Sequence, residues 1–341
     1  ELEFHAKRLL GSDAPEHMER LRHGFAVVGE WTSPAGGTVV TVGCTDWAYG
    51  LADPTVGRIT RNVLRRLGGV RGRAASPLID RLDEVWASLD DVLAELTEAQ
   101  WKTATGCPGW SVRATVAQLI DYEANLLGWP RPLHEVEAPP RAVNPMGVAN
   151  EVGVDARRPM TGAAVLEEFR RTVAARSEQL RLMVPADLAA EFDTPAGPGT
   201  VHDMLVLRVM DTWTHEQDIR RAVDRPGHDT GPVVEHSLDY FARFLPFVVG
   251  KKAGATEGQS VTFALTDGGA VVRELHVEVG ERAAVVPVLS GLATVTLTMP
   301  IGVMTRRCAG RVGPDDLLDQ VTIDGELDLA SRILENQSYT I

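Results

Sequence analysis

One short run of the sequence carries several side chains that can do chemistry. It extends from Arg208 to Asp218 and reads Arg-Val-Met-Asp-Thr-Trp-Thr-His-Glu-Gln-Asp. Asp211 and His215 are four residues apart, so on a helix both project from one face and can share a divalent metal ion. Asp218, three residues further on, can orient the second ring nitrogen of His215. The alternative is a hydrogen-bond ladder of the same three side chains that joins two helices.

A second motif precedes a predicted helix. Cys107-Pro-Gly-Trp110 interrupts the chain, and Ser111 after it is a favourable N-cap residue. Within the helix that follows, Gln118 has apolar neighbours. It either faces inward, where its amide needs hydrogen-bond partners, or lies half exposed at the surface.

Four stretches of apolar residues at helical spacing surround these motifs. Their approximate bounds are 78–96, 111–127, 161–183 and 200–224, whereas residues 130–150 are rich in proline and predict a loop. Four long helices in one segment indicate an antiparallel four-helix bundle, here over residues 78–228.

Beyond the bundle the pattern changes to short strands. A helix at about 231–249 is followed by strands at Val261–Leu265, Val271–Val279, Thr294–Thr298 and Asp319–Ile323, and by helices at Ile301–Ala309 and Asp328–Leu334. Asp267-Gly-Gly predicts a hairpin turn. Residues 229–341 therefore predict an α+β domain, and the predicted fold class of the chain is α+β.

The first 70 residues have the pattern of a separate, short α/β fragment. Apolar runs at Phe25–Val28 and Thr38–Val42, split by Pro-Ala-Gly-Gly, predict a hairpin. Asp53-Pro54 begins a predicted helix that extends to Leu67. The basic stretch of small residues at 71–77 predicts a linker.

Composition excludes some classes of function. The net charge of the 341-residue chain is −13, so binding to DNA or RNA gains nothing from counterion release, and nucleic acid is not an expected partner. No apolar run approaches the roughly 20 residues of a membrane span, so a membrane is not expected either. Cys44, Cys107 and Cys308 lie far apart, which favours a reducing cytoplasm over a disulfide framework.

Together these motifs resemble the mycothiol-dependent maleylpyruvate isomerase-like family, a branch of the DinB-like bundle superfamily. The resemblance covers residues 76–341 and rests on Trp101, the Cys-Pro-Gly-Trp-Ser-Val-Arg run, Tyr122-Glu123, and the segment from Arg208 to Ala222, which is similar to the signature of one actinobacterial subgroup. Cys308-Ala-Gly-Arg311 and Ile323-Asp-Gly-Glu resemble the family's sterol-carrier-like α+β domain. The resemblance implies a DinB-like four-helix bundle over 78–228 and a sterol-carrier-like domain over 229–341.

The family resemblance also implies a divalent metal, usually zinc. A histidine on the second helix and an acid-x-x-x-His pair on the last bundle helix would hold it. The pair corresponds to Asp211 and His215, and Gln118 stands where the histidine is expected. Because an amide oxygen is a weaker zinc ligand than imidazole, the site is either degraded or suited to another metal. Arg311 corresponds to an arginine that binds a substrate carboxylate, and a salt bridge between domains is its alternative role.

Residues 1–70 carry a resemblance of their own. The segments from Gly37 to Leu51 and from Val56 to Leu64 are similar to the C-terminal end of N,N-dimethylformamidase large-subunit-like proteins. Cys44 suggests a nucleophile, but no histidine–acid partner set accompanies it. The resemblance implies the C-terminal remnant of a larger α/β domain, without catalysis.

Three functions are open on these grounds. The first is a metal-dependent, mycothiol-using isomerase or thiol transferase, in which Arg311 and Asp218 are catalytic and Gln118, Asp211 and His215 bind metal. Its partners are a small-molecule substrate and mycothiol, a low-molecular-weight thiol, as co-substrate; a homodimer is left open. The second function is a non-catalytic small-molecule binding module with a degraded metal site. The third is a hydrolase that activates metal-bound water.

Gln118→His is predicted to tighten zinc binding by on the order of tenfold or more, because the new imidazole completes a three-ligand site with Asp211 and His215. Zinc titration of the two proteins measures the difference. Equal affinities would show that position 118 does not face the metal.

Limited proteolysis is predicted to cut first between Gly68 and Pro77, because the glycine- and arginine-rich stretch there has no stiffness. A stable fragment beginning near Ser76 should remain and keep the metal or ligand binding of the whole chain. Resistance of this stretch to cutting, or a fragment without binding, would contradict the division of the chain.

Overall fold

The computed structural model describes residues 11–22, 28–32, 38–42, 53–67, 76–132 and 145–339, together with residues 3, 7 and 136. Contacts within the chain separate it into two compact units, Glu1–Arg73 and Ala74–Ile341. Most of the stretch predicted as a linker, residues 71–75, lies outside the described part, as does Cys44.

The first unit contains one hairpin between helices. Its elements are α1 (Pro15–Arg22), β1 (Val28–Thr32), β2 (Thr38–Val42) and α2 (Pro54–Leu67). The two strands pair antiparallel, with Val28 opposite Val42. Asp53 caps α2, because its carboxylate accepts hydrogen bonds from the N–H groups of Thr55 and Val56 at 2.8 and 3.1 Å.

The second unit begins with a series of helices. They are α3 (Pro77–Ala94), α4 (Val112–Leu126), α5 (Pro145–Ala156), α6 (Gly162–Arg181), α7 (Pro185–Leu188), α8 (Val201–Ala222) and α9 (Pro232–Ala242), with a 3-10 turn at Gln100–Lys102. Helices α3 and α4 each pack against both α6 and α8, which closes the expected four-helix bundle. Apolar side chains at helical spacing fill its interior, as Leu82, Val85 and Leu89 of α3 do.

Helix α5, the short helix α7 and a β-hairpin in the helical region were not predicted from the sequence. Residues 145–150 belong to α5, although the proline content of 130–150 predicted a loop. Pro145 stands at the start of α5, where the N–H that proline lacks has no helical partner in any case. A hairpin of β3 (Glu191–Thr194) and β4 (Gly197–Thr200), which the sequence did not predict, leads into α8. Thr200 ends this hairpin and caps α8 reciprocally with Asp203.

The C-terminal part of the second unit is a sheet flanked by helices. Its strands are β5 (Ser260–Asp267), β6 (Ala270–Val279), β7 (Ala283–Val286), β8 (Val295–Pro300) and β9 (Thr322–Gly325), in the order β7-β6-β5-β8-β9. Strands β5 and β8 run parallel, and the other pairs are antiparallel. Helix α10 (Ile301–Cys308) packs against β5 and β8, and α11 (Leu327–Glu335) packs against β8 and β9. The α+β class predicted from sequence is confirmed.

Details of this domain correct the prediction at several points. The expected hairpin turn is present, with Gly268 and Gly269 at φ 54° and 87°, which suits a tight turn between β5 and β6. The strand expected at Asp319–Ile323 was wrong in its first half, where Leu318–Gln320 form a 3-10 turn before β9. The helix expected to reach residue 249 ends at Ala242, and a π-helical segment follows at Phe247–Lys252. Among the helices described, none is long and apolar enough to cross a membrane.

Helix α8 also anchors the connection to the C-terminal domain through a buried carboxylate. Glu216 is 0% exposed and accepts hydrogen bonds from Ser88 Oγ at 2.6 Å and Arg220 Nε at 2.7 Å. Its second oxygen contacts His228 Nδ1 at 2.7 Å. The indole N–H of Trp213 donates to the backbone oxygen of His228 at 2.8 Å, so both the ring and the backbone of this residue are fixed.

Stability is predicted to depend on the protonation of His228. Its hydrogen bond to Glu216 raises the pKa of the imidazole, with a smaller contribution from Glu84, against the opposing effect of burial. The stabilisation is therefore complete below the ordinary histidine pKa of about 6.5 and is lost as pH rises through the higher folded value. His228→Asn keeps a residue that tolerates the observed φ of 52° but removes the charge. Denaturant unfolding across this range should show the wild-type advantage shrinking with rising pH; a constant difference would contradict it.

Candidate functional site

Helix α8 places three predicted site residues on one buried face. Asp211, His215 and Asp218 follow each other at spacings of four and three residues, as the sequence analysis required. His215 is 5% exposed and Asp218 is 3% exposed, whereas the Asp211 side chain remains 30% exposed. His215 and Asp218 are therefore buried, whereas solvent reaches the carboxylate of Asp211.

The imidazole of His215 lies between the two carboxylates. Its Nε2 is 3.8 Å from Asp211 Oδ1, and its Nδ1 is 3.5 Å from Asp218 Oδ2. Both separations exceed an ordinary hydrogen bond. Within the described part of the chain, Nδ1 is buried and has no hydrogen-bond partner. Each ring nitrogen of His215 thus faces a carboxylate that is too far away for an ordinary hydrogen bond.

An arginine on the same helix holds Asp211. Arg208 is 1% exposed and donates from Nη1 to Asp211 Oδ2 at 2.5 Å and from Nε to Glu123 Oε1 at 2.8 Å. Burial raises the pKa of the Asp211 carboxyl, but Arg208, His215 and Arg311 together outweigh that effect and lower it below the usual range. Asp211 is therefore ionised at neutral pH, with Oδ1 directed towards His215.

A second arginine, from the C-terminal domain, holds Asp218. Arg311 follows α10, which ends at Cys308, and Gly310 between them has the left-handed conformation with φ 64°. Its Nε donates to Asp218 Oδ2 at 2.9 Å, and its Nη1 donates to the backbone oxygen of Ala309 at 2.9 Å. Burial raises the pKa of Asp218, whereas His215 and Arg311 lower it by more. The predicted substrate-binding arginine thus forms an ion pair between the bundle and the C-terminal domain.

Gln118 is buried on the face of α4 that meets α8. The side chain is 4% exposed, and its Oε1 has no hydrogen-bond partner among the described residues. Tyr122, one helical turn later on the same face, lies under the Arg208 guanidinium at 4.2 Å from the ring centre. Trp110, before α4, lies beside His215, so the two helices run antiparallel. One turn back from Tyr122 therefore has the same direction as one turn forward from Arg208, so Gln118 and Asp211 lie on the same side of the Tyr122–Arg208 contact.

The Cys-Pro-Gly-Trp loop lies against the other edge of His215. Cys107 Sγ, one ligand atom of His215 and one of Asp218 are all within 4.8 Å of one another. A Cβ built on Gly106 would lie 3.5 Å from Asp218 Oδ1, so the loop passes close to this carboxylate. Burial raises the pKa of the Cys107 thiol to about 11, and Asp218, Asp211 and Glu151 add to the shift against Arg311.

Sequence reasoning did not identify Cys107 or Glu151 as site residues. Glu151 of α5 is 4% exposed and accepts a hydrogen bond from the indole N–H of Trp110 at 2.8 Å, which fixes the ring beside His215 at 5.9 Å between centroids. The Cys-Pro-Gly-Trp run was interpreted as a break before α4 and as part of the family resemblance, without a role for its thiol. The thiol of Cys107, a soft metal ligand close to the start of a helix, was the feature that could have identified it as a site residue.

This arrangement has the chemistry of a cation site. It offers two ionised carboxylates, an imidazole with an unpartnered buried nitrogen, and an amide oxygen without a donor. Buried polar atoms are rarely left without partners, so Gln118 Oε1 and His215 Nδ1 mark positions that suit a bound group. The residues present therefore fit a divalent metal.

Comparison with known proteins gives the family. A family model described as the mycothiol maleylpyruvate isomerase N-terminal domain matches residues 82–220, and the corresponding C-terminal domain matches residues 235–332. No curated protein matches the sequence significantly. Crystal structures of the mycothiol-dependent maleylpyruvate isomerase and of a histidine-to-alanine variant of it are 20% and 21% identical, cover 75% of this chain and 97% of their own, and give a TM-score of 0.46. The chain belongs to the mycothiol-dependent maleylpyruvate isomerase family through its bundle and its C-terminal domain.

Proposed function

We propose that the protein is a mycothiol-using isomerase or thiol transferase that works at the site around His215. The observation that carries this proposal is a buried imidazole set between two carboxylates, each kept ionised by its own arginine. Membership of a family named for a mycothiol-dependent isomerase supports the choice of thiol. Exposure of Asp211 gives small molecules a route to this otherwise buried group.

A divalent metal is part of the proposal. His215 would hold it. The family resemblance implies Asp211 and Gln118 beside the ion on the Nε2 side, and the ring also offers its Nδ1 on the opposite side. A bound divalent ion lowers the pKa of a coordinated thiol, so that a thiolate is available at neutral pH. Zinc is the first candidate, because imidazole is among its preferred ligands.

The residues of the chain have distinct proposed tasks. Arg208 keeps Asp211 ionised and directs Oδ1 towards the ring. Asp218 faces Nδ1 of His215 and restrains the ring orientation, while Arg311 restrains Asp218. Arg311 also brings a cation to this edge of the site, so we assign it to the carboxylate of an acidic substrate, through the part of the guanidinium not engaged by Asp218.

The proposed reaction consumes no thiol when it is an isomerisation. The thiolate adds to a carbon–carbon double bond conjugated with a carbonyl, and the electron pair moves to the carbonyl oxygen. The former double bond is now single and rotates. Return of the electron pair expels the same thiolate and leaves the isomer. In a transfer reaction the adduct takes up a proton instead and keeps the thiol.

A non-catalytic binding module is the second candidate, and Gln118 favours it. The amide brings no charge to the site and binds metal weakly, whereas an imidazole at this position would bind strongly. In this alternative the buried site binds a thiol or an acidic small molecule without turnover.

Replacement of His215 is predicted to lower the activity of the full chain with mycothiol and maleylpyruvate, the compound in the family's name. His215→Ala should lower kcat/KM by on the order of 10–100-fold or more, the range typical for losing groups around a metal. His202→Ala is the matched control, because His202 is an exposed histidine in the first turn of the same helix. The loss of the cis isomer, followed by absorbance, measures the activity of both variants.

Two results would count against the enzyme. Turnover that proceeds equally without thiol would contradict the use of mycothiol. Saturable mycothiol binding by calorimetry, together with the absence of turnover over a panel of conjugated oxo acids, would favour the binding module.

A further inference from the structure

We propose that Cys107, His215 through Nδ1, and Asp218 form a binding site for zinc or another thiophilic divalent ion. This inference rests on the proposed function in one respect, since it concerns the ion at His215. It assigns that ion to the opposite edge of the ring from Asp211 and Gln118. A cysteine from the loop before α4 then supplies the strong third ligand that Gln118 does not.

The spacing of the donor atoms suits one ion. The three ligand atoms lie within 4.8 Å of one another, and the separation between His215 Nδ1 and Asp218 Oδ2 is 3.5 Å. Zinc takes sulfur at about 2.3 Å and nitrogen or oxygen at about 2.0–2.2 Å, so tetrahedral ligands are about 3.5 Å apart. The His215–Asp218 pair already has this separation, and the Cys107 sulfur lies within 4.8 Å of both ligand atoms.

The free nitrogen of His215 is an independent observation for the same position. The side chain is 5% exposed, and Nδ1 has no hydrogen-bond partner within the described part of the chain. At 3.5 Å from Asp218, Nδ1 is beyond ordinary hydrogen-bond distance. An ion between the two groups would satisfy both the nitrogen lone pair and the carboxylate.

The surroundings fix the ligands in place. Arg311 donates to Asp218 Oδ2 and prevents this carboxylate from turning away. Trp110 lies beside the ring, and its indole is held by Glu151. Metal ligands are commonly oriented by such outer hydrogen bonds. On binding, the Cys107 thiol releases its proton to solvent and coordinates as thiolate, which favours zinc over magnesium or calcium.

The charges of the two edges also differ. On the Nδ1 edge a thiolate and a carboxylate would offset the ion, and Arg311 pairs with that carboxylate. On the Nε2 edge Asp211 supplies the only charge among the two proposed ligands, since Gln118 is neutral, and Arg208 opposes it at 2.5 Å. A soft divalent ion is therefore better compensated beside Cys107.

Cobalt titration of the full-length protein tests the assignment, because thiolate coordination to Co²⁺ gives a near-ultraviolet charge-transfer band. The wild type should show this band, and zinc should displace it. Cys107→Ser and Asp218→Asn should remove the band or weaken cobalt and zinc affinity by about tenfold or more. Asp211→Asn and Gln118→Ala, the matched changes on the other edge, should keep it. Circular dichroism verifies that each variant is folded.

Protection of the thiol provides a second measurement that needs no variant. At alkaline pH, where the thiolate is present, iodoacetamide should label Cys107 in metal-free protein and should do so much more slowly with zinc. Labelling of Cys44 and Cys308, read in the same peptide map, should not respond to zinc. Equal labelling of Cys107 with and without zinc would overturn the proposal. The proposal would also be overturned if cobalt bound without a thiolate band and Asp211→Asn abolished this binding. The proposed function would then stand. A thiolate band in a protein without mycothiol-dependent turnover would instead support this site and contradict the proposed function.

Discussion

The ion pair between Asp218 and Arg311 joins the helical bundle to the C-terminal domain at the candidate site. A carboxylate that is 3% exposed needs a compensating charge, and the bundle helix that carries Asp218 takes it from the loop after α10. Removing one partner of a buried ion pair typically costs about 3–5 kcal/mol. The placement of the two domains, the orientation of Asp218 and the environment of His215 therefore depend on the same contact.

The other carboxylate of the site depends on a similar contact within the bundle. Arg208 pairs with Asp211 and with Glu123 of α4, and Glu123 also accepts a hydrogen bond from Arg176 of α6 at 3.1 Å. Three helices are thus joined through one buried network of alternating charges. Because Arg208 belongs both to this network and to the site, helix packing and the ionisation of Asp211 cannot be changed separately. The site is therefore a charged part of the bundle core.

Local patterns in the sequence predicted the features that depend only on residue spacing within one helix or strand. The bundle helices and the common face of Asp211, His215 and Asp218 follow from helical periodicity alone. Cys107 beside His215 depends on how a loop returns to a helix more than 100 residues away, which no local pattern encodes. The pairing of Arg311 with Asp218 is also non-local, so spacing could not decide between a substrate role and a salt bridge. Helix α5 was missed because proline was taken as a helix breaker at a position where it begins a helix.

The separation of Asp218 and Arg311 along the chain, 93 residues, has a consequence for how the protein is made. During synthesis α8 leaves the ribosome long before Arg311, and N-terminal domains generally fold first. The nascent bundle then contains Asp218 without Arg311. Burial of this carboxylate is disfavoured until its charge is paired. Docking of the C-terminal domain supplies the guanidinium and completes the site. A bundle formed before this domain docks exposes the surface that the domain later covers, and partly folded species of this kind are prone to aggregation.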